Sequence, residues 1–269
     1  MSEVVYAWCG QPLREHLEGV AQIVALDAEA LERATARTKD VFGCQLNVDA
    51  LKREVLSSAA RLAKALGVEP REAHALLAVA AYLHDVGKAA AAYQERLRAA
   101  SASDPARCPA QLRGHEVLSA WLAWHLVYEL LKPRGVAAED AAAAVAAGVA
   151  LHHSARRSID DVLDDAKSAA MGPRDVERLA ETARGVERYW PWGLGDALAF
   201  AAGRMKWEYL QTLDAALLKL RARLLKPAAV WGELVAYVIM IADNLDAALG
   251  REAGGQARLV LRPLLRCGT

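Results

Sequence analysis

Apolar positions recur at helical spacing along most of the chain. After a short extended start, Val4 to Trp8, Pro12 sits where a helix can begin, and the stripe Leu17, Val20, Ile23, Val24 and Leu31 predicts one helix from Leu13 to about Arg37. Leu51 to Leu66 is a second helix, closed by Gly67 with Pro70 beyond it. From Arg71 to Lys88 the pattern is apolar on most sides (Ala75, Leu76, Leu77, Val79, Ala80, Leu83), so this third helix is expected to be buried. The Ser, Asp and Pro content of residues 100–113 reads as a loop, after which Gly114-His115-Glu116 opens a helix that runs to Leu131 and stops before Pro133. Glu139 to Leu151 is alanine-rich and helical.

Residues 155–195 carry acidic pairs, then Gly172-Pro173, then Tyr189-Trp190-Pro191-Trp192; they read as a helical insertion, cap or lid. Leu194 to Leu225 looks helical, Pro227 breaks it, and Ala228 to Leu249 forms the last strong helix. The tail from Ala257 fits a strand or a helix equally well. No internal repeat and no linker divides the chain, so a single domain over 1–269 is expected.

Composition adds little that is specific. Apolar residues make up 54% of the chain and charges balance at 33 against 33, which fits a soluble, mostly helical protein and gives no support for a strongly electrostatic nucleic-acid binder. The four cysteines (Cys9, Cys44, Cys108, Cys267) are scattered with no C-x-x-C, and read as reduced or incidental rather than as a disulfide framework or zinc site. The start lacks the basic-then-apolar pattern of a signal peptide, and the apolar run Ala228 to Ala242 is short for a membrane span and carries Glu233. A cytoplasmic protein with no membrane partner is the expectation. Asparagine occurs only at 47 and 244, a composition that fits a hot habitat.

The histidines change the picture. His84-Asp85-Val86-Gly87-Lys88 ends the third helix and sets an imidazole beside a carboxylate, able to serve one metal ion or bridge two, with an ammonium suited to phosphate close by. His16 falls in the first turn of its helix, His115 opens another, and His152-His153 closes a third, followed at once by Arg156 and Arg157. Asp243 interrupts the apolar surface of the last helix and needs a partner there; Asp246, one turn on, competes for the same role. His74 and His125 have no such pattern and are assigned to structure. His16, His84, Asp85, His115, His152, His153 and Asp243 exceed what one metal needs and suit two ions sharing a carboxylate.

The ordered set H…HDxGK…H…HH…D resembles the HD superfamily of metal-dependent phosphohydrolases, and within it the stand-alone HD nuclease of type I CRISPR interference systems. Pro12 to Val20 is similar to that family's opening histidine segment, Tyr93-Gln94 to its Phe-Gln, Gly114 to Ala120 to its middle histidine segment, and Ala242 to Leu245 to its closing aspartate motif. Two positions depart from the pattern: Ser154 stands where glycine is usual, and Ala247 where serine is usual, which loosens the choice of Asp243 over Asp246.

The resemblance implies an all-α HD-domain helical bundle with a helical insertion, and cleavage of DNA phosphodiesters, mainly in single strands. It further implies a separate helicase and an RNA-guided surveillance complex as partners. Two divalent transition-metal ions (manganese, nickel, cobalt or iron) would be held by the seven residues above; Asp85 and Lys88 would be catalytic, and Lys88, Arg156 and Arg157 would bind the DNA backbone. Two other readings stay open. One is an HD enzyme acting on nucleotides or cyclic nucleotides, and the other a non-catalytic helical subunit stabilised by metal.

Overall fold

Caps and special backbone positions cut the helical pattern into twelve α-helices among the residues that this computed structural model describes, which are 4–103, 112–135, 137–153, 158–166, 171–250 and 260–267. Strands β1 (Tyr6–Trp8) and β2 (Gln11–Pro12) form a small antiparallel ribbon that leads into α1 (Leu13–Val24). The long first helix expected from the apolar stripe ends here. Leu26 adopts a left-handed φ of 62°, and the Asp27 side chain accepts from the Ala30 amide to cap a separate α2 (Ala28–Phe42). β3 (Cys44–Leu46) and α3 (Val48–Leu66) follow.

Helix α4 (Pro70–Leu83) is buried nearly all round, as its sequence predicts, but stops at Leu83 instead of continuing to Lys88. Residues Val86–Ala89 tighten into a 3-10 turn after Asp85, which leaves helical geometry at φ −114°. Helix α5 (Ala91–Ser103) occupies part of the segment read as a loop; the rest of 100–113, up to residue 111, lies outside the described residues. The next elements are α6 (His115–Leu131), α7 (Ala138–Leu151), α8 (Ile159–Ala166) and α9 (Pro173–Ala183). The span expected as one helix up to Leu225 is two, α10 (Ala197–Gln211) and α11 (Leu213–Leu224), because Thr212 is extended and its hydroxyl caps the Ala215 amide. Helix α12 (Gly232–Gly250) and strand β4 (Leu265–Cys267) complete the order.

The core is built around α7, whose residues Ala141 to Val149 are buried without exception. Small side chains let α6 and α12 approach it from either side. At Gly148 the approach is closest, since a Cβ there would lie 2.4 Å from Val235 Cβ on α12. We expect Gly148→Ala to destabilise the chain by about 1–3 kcal/mol through overpacking, read as a lower urea midpoint with an unchanged slope.

The apolar segment of α12 reaches 21 residues with the turn before it, Pro227–Ala247, which is long and apolar enough for a span on those criteria alone, yet it packs against α1, α2, α3, α4 and α7. Behind α6, Glu208 receives Trp121 Nε1 at 2.8 Å and both Arg223 amino groups at 2.9 and 2.7 Å, and lies 3.1 Å from His125 Nε2. Burial would raise its pKa, but these bonds outweigh burial and hold it below the usual carboxylate range. His125 is thus a structural residue, as is His74, whose Nε2 bonds the Val24 carbonyl at 2.8 Å.

The cysteine reading is corrected. Cys44 and Cys267 form a disulfide across the β3–β4 pair, 223 residues apart, and Cys9 is disulfide-bonded too. Wide sequence spacing concealed this, because pairing the tail with β3 brings the two Cα atoms to 4.3 Å.

Candidate metal centre

Four helix ends and one helix interior converge on Asp85. His84 caps the C-terminus of α4, His152 caps α7 and His115 begins α6, while His16 sits in the first turn of α1 and Asp243 in α12. The turn after α4 can reach the start of α6 only because residue 87 is glycine: a Cβ there would lie 2.1 Å from the His115 carbonyl oxygen. The Gly87 amide then donates to Ser119 Oγ at 2.8 Å, and this bond fixes the two segments to each other. Buried Gln94 adds a clamp. Its side chain accepts from the Tyr6 amide at 2.8 Å and donates to the carbonyls of Tyr6 and Lys88 at 2.8 and 2.6 Å.

The two oxygens of Asp85 face different partners. Oδ1 lies 2.7 Å from His115 Nε2, 3.4 Å from His152 Nε2 and 3.8 Å from His153 Nε2. Oδ2 lies 3.3 Å from His16 Nε2 and 3.5 Å from His84 Nε2, and also contacts the Lys88 ammonium. Asp243 Oδ1 approaches the second group, 3.5 Å from His16 Nε2 and 3.9 Å from His84 Nε2. Asp246 stands elsewhere, 2.7 Å from His16 Nδ1. All seven expected residues are therefore brought together, with Lys88 beside them. Arg156 and Arg157 lie outside the described residues.

Ring orientation is set on the far side of each imidazole. Nδ1 of His84 donates to the Ala81 carbonyl at 2.7 Å, Nδ1 of His152 to Val149 at 2.6 Å, and Nδ1 of His115 to Leu112. A carbonyl only accepts, so each Nδ1 carries a proton and each ring turns its Nε2 inward. Those inward atoms, Nε2 of His16, His84, His115 and His152 together with Asp85 Oδ1, are buried and have no hydrogen-bond partner among the described residues. Leaving five such atoms unsatisfied costs roughly 1–3 kcal/mol for each. Divalent ions would satisfy them at once, and two groups of ligand atoms sharing Asp85 (Asp85, His115, His152, His153 and His16, His84, Asp85) have the spacing to hold ions.

The protein's own charges already shape the site. Burial would raise the Asp85 carboxyl, but Lys88 and the surrounding histidines more than offset it and hold its pKa well below the usual range. Burial lowers His84 well below the ordinary imidazole value despite Asp85. For His16 burial acts downward too, yet its hydrogen bond to Asp246 and the nearby carboxylates of Asp85 and Asp243 raise it to about 9. A metal bound there would displace that proton.

A mostly helical frame that collects histidines from four helices around one shared aspartate is the arrangement of an HD-type domain. The chain belongs to the Cas3 HD-domain family, described as "Cas3, HD domain", whose model matches residues 11–243. A solved structure described as "Crystal structure of CRISPR-associated protein" is 20% identical, with a TM-score of 0.40 over 96% of this chain and 26% of that one. This chain thus spans about a quarter of the length of that protein. No curated protein matches it.

Sequence reasoning placed Gly87, Gln94, Ser119 and Gly19 within the motif segments but gave the last three no task of their own. Ser119 and Gly19 look like ordinary helix residues, and only the three-dimensional approach of another element gives them a task.

Proposed function

We propose that the chain is a metal-dependent nuclease that cleaves single-stranded DNA in type I CRISPR interference, in the cytoplasm. It would work with a helicase and an RNA-guided surveillance complex. The observation that carries this reading is the shared carboxylate: Asp85 turns one oxygen to each of two groups of inward-facing histidine nitrogens. His115, His152 and His153 would hold one ion, His16, His84 and Asp243 the other, and Asp85 would bridge them. Such a donor set of imidazole and carboxylate suits manganese, iron, cobalt or nickel. When bound, a pair of divalent ions lowers the pKa of a water between them and stabilises the oxygens of an in-line attack on phosphorus.

The rest is the work of this chain's side chains. Nδ1 hydrogen bonds hold the imidazoles in one tautomer and one orientation, so the ligand atoms are positioned before substrate arrives. The Lys88 ammonium neutralises Asp85 and, with ions bound there, would be free to turn to a phosphate oxygen. Arg156 and Arg157, directly after His153 in the chain, would extend positive charge along the DNA backbone, and residues 155–195 would cover the bound strand. A chain with no net charge suits a nuclease that is handed its substrate by partners.

The test is a gel assay on chelator-stripped protein with labelled single-stranded and double-stranded DNA and a panel of divalent metals. Metal-dependent loss of the single strand is the expected outcome. DNA left intact under every metal, with hydrolysis of mononucleotides or cyclic nucleotides instead, would sink the nuclease reading.

A further inference from the structure

We propose that Asp246 is a positioning residue: it fixes which nitrogen of His16 faces a metal ion, and Gly19 provides the room its carboxylate needs. This rests on the metal reading above and goes one residue beyond the ligand set. His84, His115 and His152 each orient their ring through a carbonyl three residues earlier, Ala81, Leu112 and Val149. Those carbonyls lie at helix ends or before a helix starts, where no ladder partner claims them. His16 has no such option. It sits inside α1, where the carbonyl three residues back, at Leu13, is engaged by the helix ladder.

Helix α12 supplies the substitute. Asp243 and Asp246 lie three residues apart on one face of it, and they grip the same imidazole from opposite sides. Asp243 Oδ1 is 3.5 Å from Nε2 and Asp246 Oδ2 is 2.7 Å from Nδ1. The carboxylate of Asp246 is itself buried and held, with Gln11 Nε2 at 3.4 Å. Its seat exists because α1 carries glycine one turn after His16: a Cβ on Gly19 would stand 2.1 Å from Asp246 Oδ1 and 3.0 Å from its Cγ. The two carboxylates of α12 therefore have different tasks. One faces the ligand nitrogen, and the other sets the tautomer that makes it a ligand.

The experiment compares wild type, Asp246→Ala, Asp246→Asn and Gly19→Ala as full chains stripped and titrated with zinc. Bound ions are counted by elemental analysis, and the imidazole N–H protons of the zinc-saturated chain are followed by NMR. Asp246→Ala is expected to weaken one of two ions by about 10–100-fold, leave the other unchanged, and lose the downfield His16 N–H resonance. Gly19→Ala, which displaces the carboxylate, should do the same. Asp246→Asn keeps an oxygen that accepts from Nδ1, so it should retain the resonance and most of the affinity. Two ions at wild-type affinity in Asp246→Ala would overturn the proposal while leaving the metal reading intact, and so would an Asn variant as weak as Ala. Should the Ala variant fail to fold, Asn and Gly19→Ala decide on the same readouts. A wild-type chain that takes up no zinc, manganese, cobalt or nickel overturns the metal reading and this inference with it.

Discussion

Asp85→Asn is expected to lose the proposed metal-dependent cleavage of single-stranded DNA by at least about a thousand-fold, the scale expected when a group that organises transition-state charge is removed. The effect is large because Asp85 alone contributes to both clusters, with one oxygen on each side. An amide keeps the shape but offers only one good donor oxygen and no charge, so it can no longer serve two cations. The helical fold survives, since no apolar contact is lost and the desolvation of a buried carboxylate is itself unfavourable. Initial rates with saturating metal, alongside circular dichroism of the variant, measure both halves. Cleavage within tenfold of wild type would remove Asp85 from the bridging role.

Stripping divalent ions is expected to lower the thermal midpoint by roughly 8–16 °C for each site emptied. Each site filled at a thousand times its dissociation constant contributes about 4 kcal/mol, and a chain of this size shifts by about 2–4 °C per kcal/mol. Two sites emptied together double that shift, to roughly 16–32 °C. The physical source is the set of buried nitrogens and the carboxylate oxygen that have no hydrogen-bond partner among the described residues. Differential scanning fluorimetry with chelator, then with manganese or nickel restored, gives the number. A midpoint indifferent to both treatments would show that the inward-facing imidazoles do not hold ions.

Much of this architecture was legible in the sequence because its signals are local. Long apolar stripes marked α3, α6, α7 and α12 within a few residues, and the histidines fell at helix ends that Gly, Pro and the stripes themselves delimit. The breaks at Leu26 and Thr212 were not legible, since a single residue outside the helical region interrupts a stripe without altering its apolar spacing. Helix α5 was hidden in part by the polar stretch that follows it. At the site the motif residues were readable, but the division between Asp243 and Asp246 was not. Both lie on one face of α12, and only the placement of α1 against that face shows which nitrogen each meets. The disulfide was the least accessible feature, because cysteine spacing says nothing about a strand pairing formed between residues 223 positions apart.

That bridge closes residues 44–267 into a covalent ring, with α1 and α2 outside it. Of the residues gathered around the shared carboxylate, every one except His16 lies between Cys44 and Cys267. A protease that cuts one exposed bond inside the ring, for instance near the tryptophan-rich segment around 190, opens the loop without releasing either piece. The nicked chain still migrates as one species until a thiol reductant is added. Its helices remain tethered at the concentration of a single molecule, so a scar in the backbone need not scatter the histidines.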